Sequence, residues 1–253
     1  MPKTIAFVRR PGPSFNQAIS ANPKNQPINV KRACLQHECY VAALEKTGVE
    51  VALLSGLYKY PDAPFIEDTT VVFDHIALAC PSKEGSRRGE GVSIHKEIKK
   101  YRTIKTLPPS VTLDGGDVLN TEEKIFVGIS ERTNREAVDA LAKFTKKPII
   151  PVEVLFGLHL KTSVTYLGNY ILVLDPSSLD THPLREFKWI ETSRPNRYAA
   201  NCLAIRNTVL ISKGSNEVAD KIRKEGFKTM QLDISEFEKA DGGLTCLSIV
   251  FND

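Results

Sequence analysis

The stretch GGDVLNTEEKIFVGISERTNREAVDALAKFTKKPIIPVE, residues 115–153, holds one complete building unit. It opens inside the β-branched run SVTLDGGDVL (110–119), and KIFVGIS (124–130) follows after a short polar turn, so the two predict a hairpin. NREAVDALAKFTK (134–146) repeats apolar residues at helical spacing, and KPIIPVEV (147–154) predicts a further strand. Strand, tight turn, strand, helix, strand is therefore the unit. A second clear copy is NCLAIRNTVLISKGSNEVADKIRKEGFKTMQLD, residues 201–233.

The rest of the chain carries the same parts. Strands are predicted in TIAFVR (4–9), VEVALL (49–54), TTVVFDHIALAC (69–80), SVTYLGNYILVLD (163–175), CLAIRNTVLIS (202–212) and LSIVF (247–251). Helices are predicted in VKRACLQHECYVAALEKTG (30–48), SIHKEIKKYR (93–102) and NEVADKIRKEG (216–226). Asn134 and Asn216 are the expected N-caps, Gly48 and Gly226 the expected C-caps. LGNY (167–170) and IRNT (205–208) mark tight hairpin turns.

Aligning the start of each hairpin picks out Asp68, Asp114, His159, Asn201 and Cys246, separated by 46, 45, 42 and 45 residues. A period of this length signals an array or a propeller. In a ring of such units, equivalent positions face one central axis. Two carboxylates, an imidazole and a thiol would then converge in one pocket. Cys246 follows two glycines in GGLTCLSIVF (242–251) and is read as opening the last strand, with an open approach on its glycine side.

Composition narrows the class. The 253 residues are 42% apolar and 25% charged, ordinary for a globular protein with room for a sizeable core. The net charge of +4 is mild, and basic residues are interspersed with acids, which argues against nucleic-acid binding. No apolar run reaches the roughly 18–20 residues that would cross a membrane, and the N-terminus lacks a secretory pattern. Five scattered cysteines suit a reducing compartment, so the cytosol is expected.

The converging side chains suggest a chemistry. A thiolate is a strong nucleophile that a histidine can activate. An acyl-transfer site needs hydrogen-bond donors for its oxyanion, which Asp68, Asp114 and Glu67 would repel. Carboxylates instead suit a planar cation, a guanidinium, held with its central carbon open to Cys246. Arg87 or Arg88 in KEGSRRGE (83–90), with Arg132 in SERTNRE (130–136), would hold a carboxylate at the other end. Such a molecule is arginine or a close relative.

FVRRPGPSF (7–15), LDGGDVL (113–119), GLHLKTS (157–163) and DGGLTCLSIVF (241–251) resemble the dimethylarginine dimethylaminohydrolase family of guanidine-modifying (pentein) enzymes. The resemblance spans nearly the whole chain. It implies an α/β five-bladed, pseudo-fivefold ββαβ propeller forming a single catalytic domain over 1–253. It also implies Cys246 as nucleophile, His159 as acid–base partner, and Asp114 as support for the histidine and the guanidinium. Glu67 and Asp68 are the implied guanidinium-binding acids, Arg87 and Arg132 the carboxylate clamp. Asp62 is an implied α-amino contact, Asp241 a further substrate contact, and Phe15 stands in the substrate lid where leucine is usual. The expected reaction releases citrulline and an alkylamine from a methylated arginine through a covalent thiouronium, with no cofactor or metal. The expected partner is the small-molecule substrate alone, with no nucleic acid or membrane, and the expected state is monomer or homodimer.

Plainer readings compete with each of these. Cys246 could be a core thiol and His159 a satisfied strand histidine; the shared repeat position argues for the site in both cases. Asp117 is read as turn chemistry. Cys34, His37 and Cys39 invite a zinc reading, but offsets of three and five scatter them around a helix, so they are read as structural. Among whole functions, an arginine deiminase or amidinotransferase would use the same constellation. A non-catalytic propeller resembling a ribosome anti-association factor would lack it.

Overall fold

The computed structural model describes residues 3–21 and 26–253. In chain order they form β1 (Thr4–Arg9), α1 (Val30–Lys46) and β2 (Glu50–Leu54), then β3 (Thr70–Phe73), β4 (Ile76–Ala79), α2 (Gly91–Ile98) and β5 (Thr103–Thr106). Next come β6 (Val118–Asn120), β7 (Ile125–Ile129), α3 (Glu136–Leu141) and β8 (Ile149–Glu153). A single turn of helix, α4 (Leu160–Ser163), precedes β9 (Val164–Gly168), β10 (Ile171–Leu174) and β11 (Lys188–Glu191). The last elements are β12 (Leu203–Ile205), β13 (Thr208–Ser212), α5 (Asn216–Lys224), β14 (Lys228–Leu232), α6 (Ser235–Glu238) and β15 (Ser248–Asn252).

These strands make five three-stranded sheets: β15–β1–β2, β3–β4–β5, β6–β7–β8, β9–β10–β11 and β12–β13–β14. Within each, the middle strand runs antiparallel to the inner one and parallel to the outer one. A parallel pair needs a crossover, which the intervening helix supplies in four blades. In the fourth, only the short turn His182–Leu184 and its flanking loop make the connection. The architecture is the α/β five-bladed propeller that the resemblance implies. Middle strands such as β1 and β10 are buried on both faces, whereas outer strands such as β2 and β14 are partly exposed.

Packing explains why the axis is free for polar chemistry. Five apolar clusters fill the five seams between adjacent blades. One joins Val71 and Leu78 to Val118 and Val127, and another joins Phe126 and Val152 to Val164 and Leu172. The core is thus a ring, and burial does not require apolar residues at the centre. Among the described residues, no helix is long and apolar enough to cross a membrane.

Several local expectations need correcting. SVTLDGGDVL is a strand only from Val118 onward; Gly115–Asp117 form a single tight turn ahead of it. Such a turn precedes the inner strand of every blade: Ile66–Thr69, Gly115–Asp117, Leu160–Ser163, Arg194–Ala200 and Thr245–Leu247. Cys246 therefore lies in a turn before the last strand rather than at its start, and His159 caps α4 rather than sitting in a strand. The N-caps fall one residue away from those expected, or on the wrong side chain. Arg135 and Ser215 occupy the cap positions of α3 and α5. Asn134 instead accepts from the Thr112 amide (3.1 Å), and Asn216 accepts from Gln231 Nε2 (2.7 Å). Gly48 and Gly226 do end their helices with positive φ, 82° and 91°.

Candidate active site

The turns that carry Asp68 and Cys246, with His159 capping α4, border a hollow of about 140 Å³. Asp62, Asp68, Arg87, Arg132, His159, Asp241 and Cys246 all line it, so seven of the ten expected site residues share one cavity. Close approach of the turns is possible because of glycine. A Cβ on Gly116 would stand 2.8 Å from His159 Nδ1 and 2.9 Å from Asp68 Oδ1. A Cβ on Gly243 would fall 2.3 Å from Asn201 Cγ. Of the glycines before Cys246, Gly243 is thus a close-packing position, whereas Gly242 lines the hollow beside the thiol.

His159 is buried among acids. Its Nε2 pairs with Asp114 Oδ2 at 3.1 Å, and its Nδ1 stands 3.9 Å from Asp68 Oδ1. Burial works against its charge, but Asp68, Asp117 and Asp114 outweigh that and lift the imidazole to about 9. Asp117 also builds the turn that presents the ring. It accepts from Ser130 Oγ (2.7 Å), Thr133 Oγ1 (2.6 Å) and the Leu160 amide (2.8 Å), as its structural reading requires. Burial opposes the charge of Asp68 as well, yet His159 and Arg87 hold its carboxyl below the usual range.

Cys246 is buried, and its sulfur accepts from the Gly243 amide at 3.4 Å. Burial, with Glu67 and Asp68 nearby, pushes the thiol up to about 12. Without a bound cation, the pair at neutral pH is therefore a thiol beside an imidazolium.

The two arginines differ. Arg87 donates through Nη1 to Asp68 (2.7 Å), through Nε and Nη2 to Glu90 (3.1 and 3.0 Å), and through Nη2 to the Phe65 carbonyl (3.1 Å). Arg132 Nη1 is buried without a hydrogen-bond partner among the described residues; Glu84 and Asp114 carboxylates lie at 3.4 and 4.0 Å. A buried guanidinium nitrogen without a hydrogen bond is costly unless a ligand completes it. Arg88 lines a neighbouring cavity instead of the hollow.

Three expected contacts fall elsewhere. Phe15 is fully buried, its ring 5.8 Å from Phe65 and 5.1 Å from Phe237, so it is packed in the core and does not line the hollow. The bulky apolar residue of this loop that does line the hollow is Ile19, which sequence reasoning missed; its signal was a large apolar residue in the mostly polar run NQAIS. Glu67 points to the opposite side of the axis, where it accepts from Lys161 Nζ (2.6 Å) and Thr245 Oγ1 (2.8 Å). Asp114 stands behind His159, fully buried, and supports the ring without lining the hollow.

Asp62 and Asp241 face the hollow, and each also holds the 19–21 segment beside it. Asp62 accepts from the Ile19 amide (3.1 Å); Asp241 accepts from the Ala21 amide (2.7 Å) and Ser20 Oγ (3.1 Å). Asn201 completes the repeat by tying two turns together, donating to the Lys161 carbonyl and accepting from the Thr245 amide. Asp68, Asp114 and His159 also place ligand atoms within 4.8 Å of one another, as a metal site would. Cys34, His37 and Cys39 diverge around α1, as expected: half-buried, buried and exposed in turn. A larger groove of about 540 Å³ adjoins the hollow and shares Ala21, Leu158 and Asp241 with it.

The family described as "N,N dimethylarginine dimethylhydrolase, eukaryotic" matches residues 2–250. The chain belongs to this family. A dimethylarginine dimethylaminohydrolase of Streptomyces coelicolor is 30% identical, over 98% of this chain and 97% of that one. A solved structure of the Pseudomonas aeruginosa dimethylarginine dimethylaminohydrolase, a cysteine-to-serine mutant complexed with citrulline, superimposes with a TM-score of 0.93. It is 26% identical and covers 99% of this chain and 100% of that chain. The N-terminal domain of ArgZ, an arginine dihydrolase of cyanobacteria, shares the fold at a TM-score of 0.91 and 18% identity, over 98% of this chain and 97% of that one. As a dimethylarginine dimethylaminohydrolase family member, the chain is a hydrolase acting on guanidino C–N bonds.

Proposed function

We propose that this enzyme hydrolyses Nω-methylated arginines, asymmetric dimethylarginine and monomethylarginine, to citrulline and dimethylamine or methylamine. The carrying observation is the joint presence of Cys246, His159, Asp68, Arg87 and Arg132 around one buried hollow. Asp68 pairs with the substrate guanidinium, and Arg132 and Arg87 hold its carboxylate. Asp62, with the lid backbone, takes the α-amino group.

The titration states set the sequence of steps. Burial and the neighbouring acids keep the Cys246 thiol protonated; a guanidinium cation beside Asp68 opposes both, so the proton leaves to water as substrate settles. The sulfur then attacks the guanidinium carbon. His159, already charged at neutral pH, gives a proton to the alkylated nitrogen, and the amine departs to leave a cationic S-alkyl thiouronium. The now neutral His159 takes a proton from water, whose oxygen adds to the same carbon. Collapse expels the thiolate and forms the ureido carbonyl of citrulline, while the proton left on the added oxygen passes to the thiolate and restores the starting thiol. Asp114 keeps the imidazole oriented throughout, as the buried carboxylate of a catalytic triad does.

The test is incubation with asymmetric dimethylarginine, monomethylarginine and arginine, with citrulline, alkylamine and ammonia each quantified. Dimethylamine released in step with citrulline is the expected result. Turnover of arginine to ammonia in its place would assign the chain to the deiminase alternative.

A further inference from the structure

Behind the wall of the hollow lies a second cavity of about 190 Å³, and Arg87 and Asp68 line both. Glu90, at the start of α2, lines the second cavity from behind and is buried. Its Oε2 alone receives both Nε and Nη2 of Arg87. A guanidinium has five N–H donors. Glu90 takes two, the Phe65 carbonyl one and Asp68 one, which leaves a single N–H, on Nη1, uncommitted. Gripping the Nε–Nη2 edge therefore decides which edge of Arg87 remains for the hollow.

The other oxygen of Glu90, Oε1, is buried without a hydrogen-bond partner among the described residues. A buried acid left half-satisfied is a poor device for stability, where an apolar residue would serve as well or better. Its value lies in direction. We propose that Glu90 is a positioning residue, holding Arg87 by its rear edge so that Nη1 meets the substrate carboxylate; this rests on the functional reading above.

The surroundings give the grip a pH dependence. Facing Glu90 are Arg87 from its own loop, Arg9 from β1, Asp62 and Asp68 from the lining of the hollow, and Arg88 and His95 around the shared cavity. Burial lifts Glu90 to about 7 although Arg87 opposes this. Above that value it is ionised and grips Arg87 by charge; below it the grip weakens.

The experiment compares parent, Glu90→Gln and Glu90→Asp on asymmetric dimethylarginine and on its decarboxylated analogue, between pH 6 and 8. At pH 8 the Gln variant is expected to raise KM for the amino acid about tenfold, with kcat within about twofold. Its kcat/KM for the analogue, which has no carboxylate, should stay at the parent value. The parent's KM should rise as pH falls through 7, whereas the Gln variant's should stay flat. The Asp variant keeps the charge and should fall between the two; it decides the matter alone should the Gln variant not fold. Unchanged KM, a loss confined to kcat, or an equal loss on both substrates would overturn the positioning role. A parent that releases no citrulline overturns the functional reading and this inference with it, whereas an active parent beside an unaltered Gln variant overturns the inference only.

Discussion

The axis of the propeller has two ends, and they differ in whether buried polar groups are completed by hydrogen bonds. At one end the inner strands line a depression of about 320 Å³, at whose floor Glu67 and Lys161 pair at 2.6 Å. Thr245 adds a second bond to Glu67, and Asn201 fastens both Thr245 and the Lys161 carbonyl. At the other end, Arg132 Nη1 and Asp114 Oδ1 are buried without hydrogen-bond partners among the described residues, beside a protonated thiol. A completed set of buried bonds makes a plug. An incomplete set, held rigid, makes a place for a ligand.

The hardest way to break this contrast is Cys246→Ser. Citrulline release should fall by about 10⁴-fold or more, with the thermal midpoint close to the parent's. Turnover at the parent rate would take the sulfur out of the chemistry. The plug predicts a different loss. Lys161→Met strands Glu67 and should cost about 3–5 kcal/mol in urea unfolding, toward the lower end because burial already favours the protonated acid. Adding Glu67→Leu should recover most of it, and no recovery would mean the pair is not an isolated plug.

Arg132→Ala removes an unsatisfied donor rather than a satisfied one. It should raise KM for asymmetric dimethylarginine by tenfold to a hundredfold, equivalent to about 1.5–3 kcal/mol, with little stability lost. A lowered unfolding midpoint with unchanged KM would reverse the assignment of the two ends. His159 supplies a milder test through pH. Because its folded value of about 9 lies above the ordinary 6.5, the stability it contributes is complete below 6.5 and lost as pH rises through 9. Turnover that needs its proton should decline about tenfold per unit above 9 in a kcat profile. The smallest effect separates core from lid: Phe15→Leu should cost about 1 kcal/mol of stability and leave KM unchanged, whereas Ile19→Ala should do the reverse.

Much of this was legible because the repeat is written in residues with strong conformational demands. LDGGDVL and DGGLTC carry glycines that only close packing of turns explains, and they bracket the acid and the thiol. Direction within a turn was not legible. Glu67 and Asp68 are neighbours, and in a tight turn adjacent side chains diverge by about a third of a circle, so one faces the hollow and the other the plug. Phe15 and Ile19 lie in a loop with no period to say which is core. Asn201 was found by spacing alone, and only the coordinates give it work. The outer strands TIKT and KWIE escaped notice because edge strands need no alternation of apolar residues.

Strand β15 pairs with β1 from Thr4↔Asn252 to Val8↔Ser248, across a separation of up to 248 residues. Loop-closure entropy makes contacts between such distant segments slow to form. The turn bearing Cys246 is anchored directly to that strand. During refolding, recovered thiol chemistry should therefore lag behind the return of helix and sheet signals, so that catalysis itself becomes a clock for ring closure.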